Sequence, residues 1–81
     1  MITGAQIRCA RAGLRWTAAE LAVHAGVGVQ TVKRLETHEG VPHSRSSSLA
    51  AIQSALEAAG IEFIGTPTDR PGIRLPTKPP L

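Results

Sequence analysis

The chain has 81 residues, one cysteine and a formal net charge of +3, from nine lysine and arginine residues against six acidic ones. This length fits one small domain and leaves too little interior for a deep active-site cavity. The single cysteine excludes an intramolecular disulfide, and no apolar run reaches the length of a signal peptide or a membrane span, so we expect a cytoplasmic protein.

The first predicted helix begins at Thr3 and ends near Gly13. Thr3 and Gln6 have the spacing of a capping box, in which each side chain accepts a hydrogen bond from the other residue's backbone N–H. Cys9 lies in this helix, away from its apolar stripe. We interpret Cys9 as a small residue in the place of an alanine.

Two short helices joined by a glycine turn are predicted between Thr17 and Glu36. Thr17 and Glu20 form a second capping box, which starts the first of these helices. Gly26 ends that helix, because glycine enters the left-handed conformation without strain. Gly28 then caps the second helix, less effectively than Ser, Thr, Asp or Asn would.

The second of these helices has a basic outer face. Val32 and Leu35 form its inward stripe, so Gln30, Lys33 and Arg34 point away from the core. Such cations and amides are suited to phosphates and to guanine and adenine edges. A basic helix face is more often only solvated, and it is the helix, glycine turn and helix arrangement that favours DNA binding.

The charge distribution agrees with this interpretation. Residues 1–46 hold six arginine and lysine residues against three glutamates, whereas residues 47–81 hold three basic and three acidic residues. The excess positive charge therefore lies in the part of the chain that contains the candidate DNA reader.

The second half of the chain is predicted to form a fourth helix and a hairpin. Ser46 or Ser47 begins the helix, which runs to about Ala59 and ends at Gly60. Two alternating segments, 61–64 and 72–75, are separated by the Gly- and Pro-containing stretch 65–71. They could pair as a hairpin with one apolar face and a Glu62 to Arg74 pair on the other.

An isolated hairpin is only marginally stable, so this one needs a covering helix or the equivalent hairpin of a second chain. We therefore expect a homodimer joined through these strands, through the fourth helix, or through both. The apolar residues expected at the strand interface are Ile61, Phe63, Ile73 and Leu75. A helical domain of residues 1–60, a hairpin of residues 61–75 and a Pro-rich, mobile tail of residues 76–81 complete the predicted organisation.

The stretch from Gln6 to Glu36, and more loosely that from Ser48 to Ile64, resembles the λ-repressor-like, XRE-type helix-turn-helix family, which includes small phage repressor and Cro-like domains. The resemblance is carried by the following framework residues: Arg11, Leu14, Trp16, Glu20, Leu21, Ala22, Gly26, Val27, Thr31, Val32, Leu35 and Glu36. With the predicted elements, it implies a mainly α, four-helix helix-turn-helix domain with a C-terminal β-hairpin.

The resemblance also implies roles for individual residues. Those expected to face base edges are Val29, Gln30, Lys33 and Arg34. Those expected near phosphates are Thr17, Ala18, Thr31, Arg45 and, as a weaker candidate, Arg15. Arg11 and Glu36 are expected to form a structural ion pair.

Two departures from the family pattern lower the expected affinity. Ala18 stands where many members have a glutamine that can touch phosphate. Gly28 stands where Ser or Thr usually caps the second helix, which costs a few tenths of a kcal/mol. One copy should therefore bind weakly, which favours a dimer.

The sequence gives little support for a metal site or for catalysis. His24, His38 and His43 lack partners at ligand spacing, so no metal is expected, and no cofactor motif or paired nucleophile and base indicates catalysis. The leading hypothesis is a sequence-specific double-stranded DNA-binding regulator, a repressor acting as a dimer on a palindromic operator. The alternatives are an antitoxin, which would also hold a toxin through the hairpin or tail, and an interaction module that does not read DNA.

Overall fold

The computed structural model describes residues 2–38, 40–41 and 46–76. In this part of the chain, four α-helices are followed by a two-stranded antiparallel hairpin. Their bounds are α1 Gly4–Gly13, α2 Ala18–Ala25, α3 Val29–Glu36, α4 Ser46–Ala58, β1 Glu62–Thr66 and β2 Asp69–Arg74. The prediction of a mainly helical protein with a C-terminal hairpin is thus confirmed.

Both predicted capping boxes are present. At the start of α1, the Gln6 N–H donates to Thr3 Oγ1 at 3.0 Å and the Thr3 N–H donates to Gln6 Oε1 at 2.8 Å. At the start of α2, Glu20 and Thr17 make the same pair of bonds, at 3.0 and 2.8 Å. Each box satisfies two backbone donors that the first helical turn leaves without partners.

The helix ends also follow the predicted glycines. Gly26 closes α2 with a φ of 69°, and Gly60 follows α4 with a φ of 103°. Both values lie where side chains with a Cβ are strained. Helix α4 ends at Ala58, one residue before the predicted Ala59.

The core forms from the apolar stripes of the four helices, joined by Ile2 and Ile61. Its buried members are Ile2, Ile7, Ala10, Leu14, Leu21, Ala22, Val32, Leu35, Leu49, Ile52, Leu56 and Ile61. Leu21, Val32, Leu35, Ile52 and Leu56 have no exposed surface. The 3.6-residue periodicity of each helix predicts this set, because residues three and four apart share a face.

The start of α1 packs directly on the end of α3. Gly4 donates its N–H to the carbonyl of Gly40 at 3.0 Å. A methyl group at Gly4 would lie 2.5 Å from the carbonyl oxygen of Leu35 and closer still to that of His38. This approach of two backbones is possible because Gly4 has no side chain.

The hairpin is paired over a longer stretch than predicted. The expected loop of residues 65–71 is mostly strand, and the connection is reduced to residues 67–68. Gly65 has a φ of 76° and lies where the register shifts between Ile64 and Thr66. The glycine thus makes an irregularity within the strand, as in a β-bulge, and does not begin a loop.

The predicted pair across the hairpin is confirmed. Glu62 lies opposite Arg74 in the register, and their side chains approach to 3.7 Å. Both side chains are more than 60% exposed, at 62% for Glu62 and 69% for Arg74. An exposed pair of this kind contributes little, at most about 1 kcal/mol.

Gln6 joins the hairpin to α1. Its side-chain amide donates to the carbonyl oxygens of Gly72 at 2.9 Å and Ile64 at 3.3 Å, while its Oε1 caps the helix. The residue is only 5% exposed. One buried amide therefore fixes both the start of α1 and the position of the two strands.

Among the described residues, no helix has the combination of length and apolar composition that crossing a membrane requires.

Candidate functional site

Helix α3 presents a basic face to solvent. Gln30, Lys33 and Arg34 are exposed, whereas Val32 and Leu35 on the opposite side have no exposed surface. The periodicity of the sequence predicts this orientation. Because positions three and four apart share a helix face, the amide and the two cations form one surface.

The acidic residue of α3 does not offset this charge on the exposed face. Glu36 is 7% exposed, and its carboxylate accepts two hydrogen bonds from Arg11, from Nε at 2.7 Å and from Nη2 at 3.0 Å. This bidentate geometry is the strongest that an arginine and a carboxylate adopt. The hydrogen bonds that Arg11 donates to Glu36 raise the pKa of the Arg11 guanidinium above its ordinary value.

Two further bonds extend this cluster. Arg11 Nη1 donates to the carbonyl oxygen of Trp16 at 3.0 Å, and Arg8 Nη1 donates to the carbonyl oxygen of Glu36. Arg11 therefore holds α1, the segment that leads into α2 and the end of α3 together. The orientation of the exposed face of α3 depends on this contact.

The end of α3 is also fixed locally. Thr37 Oγ1 donates to the carbonyl oxygen of Arg34 at 2.7 Å, and His38 Nδ1 lies 3.2 Å from the same oxygen. The backbone of Arg34 is thus held in place while its side chain extends into solvent.

The other two α3 residues with predicted DNA roles are less accessible. Val29 and Thr31 are half-buried, and Val29 packs against the core. The predicted base-reading surface therefore consists mainly of Gln30, Lys33 and Arg34, with Val29 at its edge.

The residues predicted near phosphates lie in different environments. Thr17 is exposed, but its hydroxyl accepts the capping bond from Glu20. Ala18 is half-buried against the core. Arg15 is exposed in the turn before α2 and has a left-handed φ of 60°. Arg45 lies outside the described residues.

The residues predicted for strand dimerisation mostly face their own chain. Ile61 is 4% exposed within the core, and Phe63 and Ile73 pack against it. Leu75 is 53% exposed, with its Cδ atoms beside Gly13 of α1. A helix of the same molecule thus covers the hairpin, which removes the argument that a second chain is needed to stabilise it.

Sequence reasoning missed a stacked pair beside α2. The rings of Trp16 and His24 are parallel within 3°, with centroids 4.1 Å apart. Together with Ala55, Ala58 and Ala59 of α4, they line a pocket of about 210 Å³. The sequence held one signal for this pair. His24 comes about two helical turns after Thr17, so it lies on the same side of α2 as the chain segment that leads from Trp16 into the helix.

The histidines do not assemble with other ligands in the described part of the chain. No group of three His, Cys, Asp or Glu side chains there is placed to hold a metal ion. His24 stacks on Trp16, and His38 contacts the end of α3. His43 lies outside the described residues. Cys9 is exposed, as its position opposite the apolar stripe predicts.

Neither a protein-family model nor a curated protein sequence matches this chain.

Proposed function

We propose that the protein is a sequence-specific double-stranded DNA-binding regulator, in which α2 and α3 form a helix-turn-helix and α3 enters the major groove. In this arrangement the second helix of the pair contacts base edges. We further propose that it acts as a transcriptional repressor and belongs to the λ-repressor-like, XRE-type family that its sequence resembles.

The observation that carries this proposal is the exposed face of α3. It combines Gln30, Lys33 and Arg34 with no accessible carboxylate, because Glu36 is held against Arg11. Arg and Lys pair with guanine O6 and N7, and Gln pairs with adenine N6 and N7. Phosphates are bound by the same cations.

The connection between the two helices also fits this function. Only residues 26–28 separate α2 from α3, and Gly26 takes the left-handed conformation that allows a sharp change of direction. Short helix pairs with a glycine turn are typical of DNA-binding proteins of this class. Gly28 provides no side-chain cap, so the first N–H groups of α3 remain suited to a phosphate.

A homodimer on a palindromic operator remains part of the proposal, with Leu75 and the outer side of α4 as the surfaces available for contact. A two-fold dimer would place its half-sites about 10 base pairs apart, or a multiple of that distance. Selection of bound duplexes from a random pool tests this directly. Recovery of no enriched sequence would contradict sequence-specific binding.

Binding to the selected duplex should be strongly dependent on salt. If each of two copies neutralises about two to four phosphates, the slope of log affinity against log salt should be about −4 to −7. Titrations at several salt concentrations, followed by fluorescence anisotropy, measure this slope. A duplex affinity that does not change with salt would favour an interaction module that does not bind DNA.

Arg34→Ala should weaken binding to the selected duplex by about 1–3 kcal/mol and relax the preference at one base pair. The matched control is Arg70→Ala, which removes the same charge from a hairpin side chain that is 93% exposed. Anisotropy titrations on the selected and a scrambled duplex compare the two variants. Equal losses for Arg34→Ala on both duplexes would show that Arg34 does not read a base.

A further inference from the structure

The side-chain amide of Gln6 contacts both strands of the hairpin. Its Nε2 donates to the carbonyl oxygens of Gly72 at 2.9 Å and Ile64 at 3.3 Å, and these two residues are cross-strand partners in the register. An amide nitrogen carries two N–H donors, so one donor is available for each strand. The two bonds hold the hairpin at the pair that precedes the irregularity at Gly65.

The same amide fixes the segment that leads into α1. Its Oε1 accepts from the Thr3 N–H at 2.8 Å, and Thr3 is fully buried. The next residue, Gly4, packs so closely on the end of α3 that a methyl group there would overlap the carbonyl oxygens of Leu35 and His38. A single buried side chain, that of Gln6, therefore connects the hairpin to residues that touch α3.

Further contacts join the hairpin to α1 and α1 to the last turn of α3. Leu75, which follows β2, lies against Gly13 at the end of α1. Arg11 of α1 pairs with Glu36 of α3 at 2.7 Å. The last turn of α3 also carries Arg34, whose side chain belongs to the exposed basic face. The position of this turn relative to the rest of the protein thus depends on α1.

Base reading needs this position to be exact. Side chains that make bidentate contacts with base edges have to be held to within about 0.5 Å, whereas binding of a cation to phosphates depends mainly on charge. We propose that Gln6 is a positioning residue for base reading, because its three hydrogen bonds let the hairpin fix α1 and α1 fix the end of α3. This inference rests on the proposed DNA binding, and it does not require the hairpin to touch DNA.

Gln6→Glu tests the proposal, because it keeps the shape of the side chain and Oε1 but replaces the donor Nε2 by an oxygen. The carbonyl oxygens of Gly72 and Ile64 would then face a carboxylate. Affinity for the selected duplex should fall about three- to thirty-fold, and affinity for a scrambled duplex should fall less. Gln53→Glu is the matched control, since it adds the same charge on α4, where the amide meets Glu57 at 3.4 Å. It should change the ratio of the two affinities by less than about twofold.

A pH series separates the loss of the donor bonds from general damage. Burial and the facing carbonyl oxygens favour the protonated form of the introduced carboxyl group, so its pKa should be raised. Once protonated, the group can again donate to one carbonyl oxygen. Relative to the unchanged protein at the same pH, the selectivity of the Gln6→Glu variant should recover as the pH is lowered from about 8 to about 5.5. A selectivity that does not recover would overturn the assignment to these bonds.

Equal losses on the two duplexes, or no loss on either, would overturn the proposal. A smaller folded fraction lowers both affinities alike, whereas a displaced α3 lowers mainly the affinity for the selected duplex. Circular dichroism measures the folded fraction. If the Gln6→Glu variant does not fold, Gln6→Met removes the same bonds without adding a charge, and its two affinities are compared in the same way.

Amide hydrogen exchange tests the position of α3 in the absence of DNA. The Thr37 N–H donates to the carbonyl oxygen of Arg34 at 3.3 Å and should exchange faster in the Gln6→Glu variant. The Val27 N–H, between α2 and α3 at the opposite end of the helix, should change less. Equal acceleration at both sites, or none at Thr37, would overturn the proposal. If the unchanged protein binds no duplex, the proposed function fails, whereas this measurement still decides whether Gln6 holds the end of α3.

Discussion

Glu36→Ala should lower the free energy of unfolding by about 3 kcal/mol, the lower end of the range for removing one partner of a buried ion pair. The carboxylate is almost fully buried, with 9% of the side chain exposed, so its loss leaves the Arg11 guanidinium without its bidentate partner. The lower end applies because the Arg11 side chain is 25% exposed and can regain some hydration.

Urea denaturation followed by circular dichroism measures this effect. Glu57→Ala is the matched control, because Glu57 is also helical but is exposed and makes only a 3.4 Å hydrogen bond with Gln53. We expect Glu57→Ala to change stability by less than about 0.5 kcal/mol. Equal effects of the two substitutions would show that the ion pair does not hold α3 in place.

A double-mutant cycle with Arg11→Ala separates the energy of the Arg11 and Glu36 interaction from the cost of leaving one charge unpaired.

The coupling energy between Arg11 and Glu36 should be independent of pH through the neutral and mildly alkaline range. Because the pKa of Arg11 is raised in the folded protein, its contribution is complete below the unfolded pKa of arginine. It is lost only as the pH rises through the higher folded value, in strongly alkaline solution.

The helices could be predicted from the sequence because their signals are local. A capping box joins residues three apart, as Thr3 and Gln6 show, and Gly26 needs only its own backbone conformation to end α2. The exposed face of α3 follows from periodicity for the same reason. The sequence therefore predicted the exposed basic surface of α3. That DNA binds to this surface is a proposal, which rests on the family resemblance and on the chemistry of the side chains.

Contacts between distant segments left no such signal. The amide of Gln6 fits the local capping pattern, yet it also bonds to Gly72, which is 66 residues away. The pocket beside Trp16 forms only when α4 packs against α2. Nothing in either local sequence specifies which residue of the other element will be its neighbour.

In the hairpin, glycine and proline occur within strands, although the sequence predicts that they form a loop. Gly65 and Pro71 predict a loop, because glycine and proline are common in turns. In the structure Gly65 makes an irregularity within β1, and Pro71 lies in β2. Pro71 has no partner in the register, which shifts between Ile64 and Thr66, and proline is tolerated in a sheet at such an irregularity.

Gly4→Ala should destabilise the protein by about 3 kcal/mol or more, the upper part of the range for an overpacked site. In an exposed helix, replacing glycine by alanine normally stabilises by up to about 1 kcal/mol. At Gly4 the sign is reversed, because the added methyl group would overlap the carbonyl oxygens of Leu35 and His38. Backbone atoms cannot move aside as a flexible side chain can, so α1 must shift away from the end of α3.

Thermal and urea denaturation measure this effect, with Gly40→Ala as the matched control. Gly40 accepts the hydrogen bond from Gly4, but a Cβ at Gly40 has no neighbour within 4 Å among the described atoms. We expect Gly40→Ala to be close to neutral. A Gly4→Ala variant as stable as Gly40→Ala would show that α1 can move without cost, and α1 would then not position α3. The same substitution should also weaken duplex binding, because the Arg11 and Glu36 pair joins α1 to the helix that carries Lys33 and Arg34.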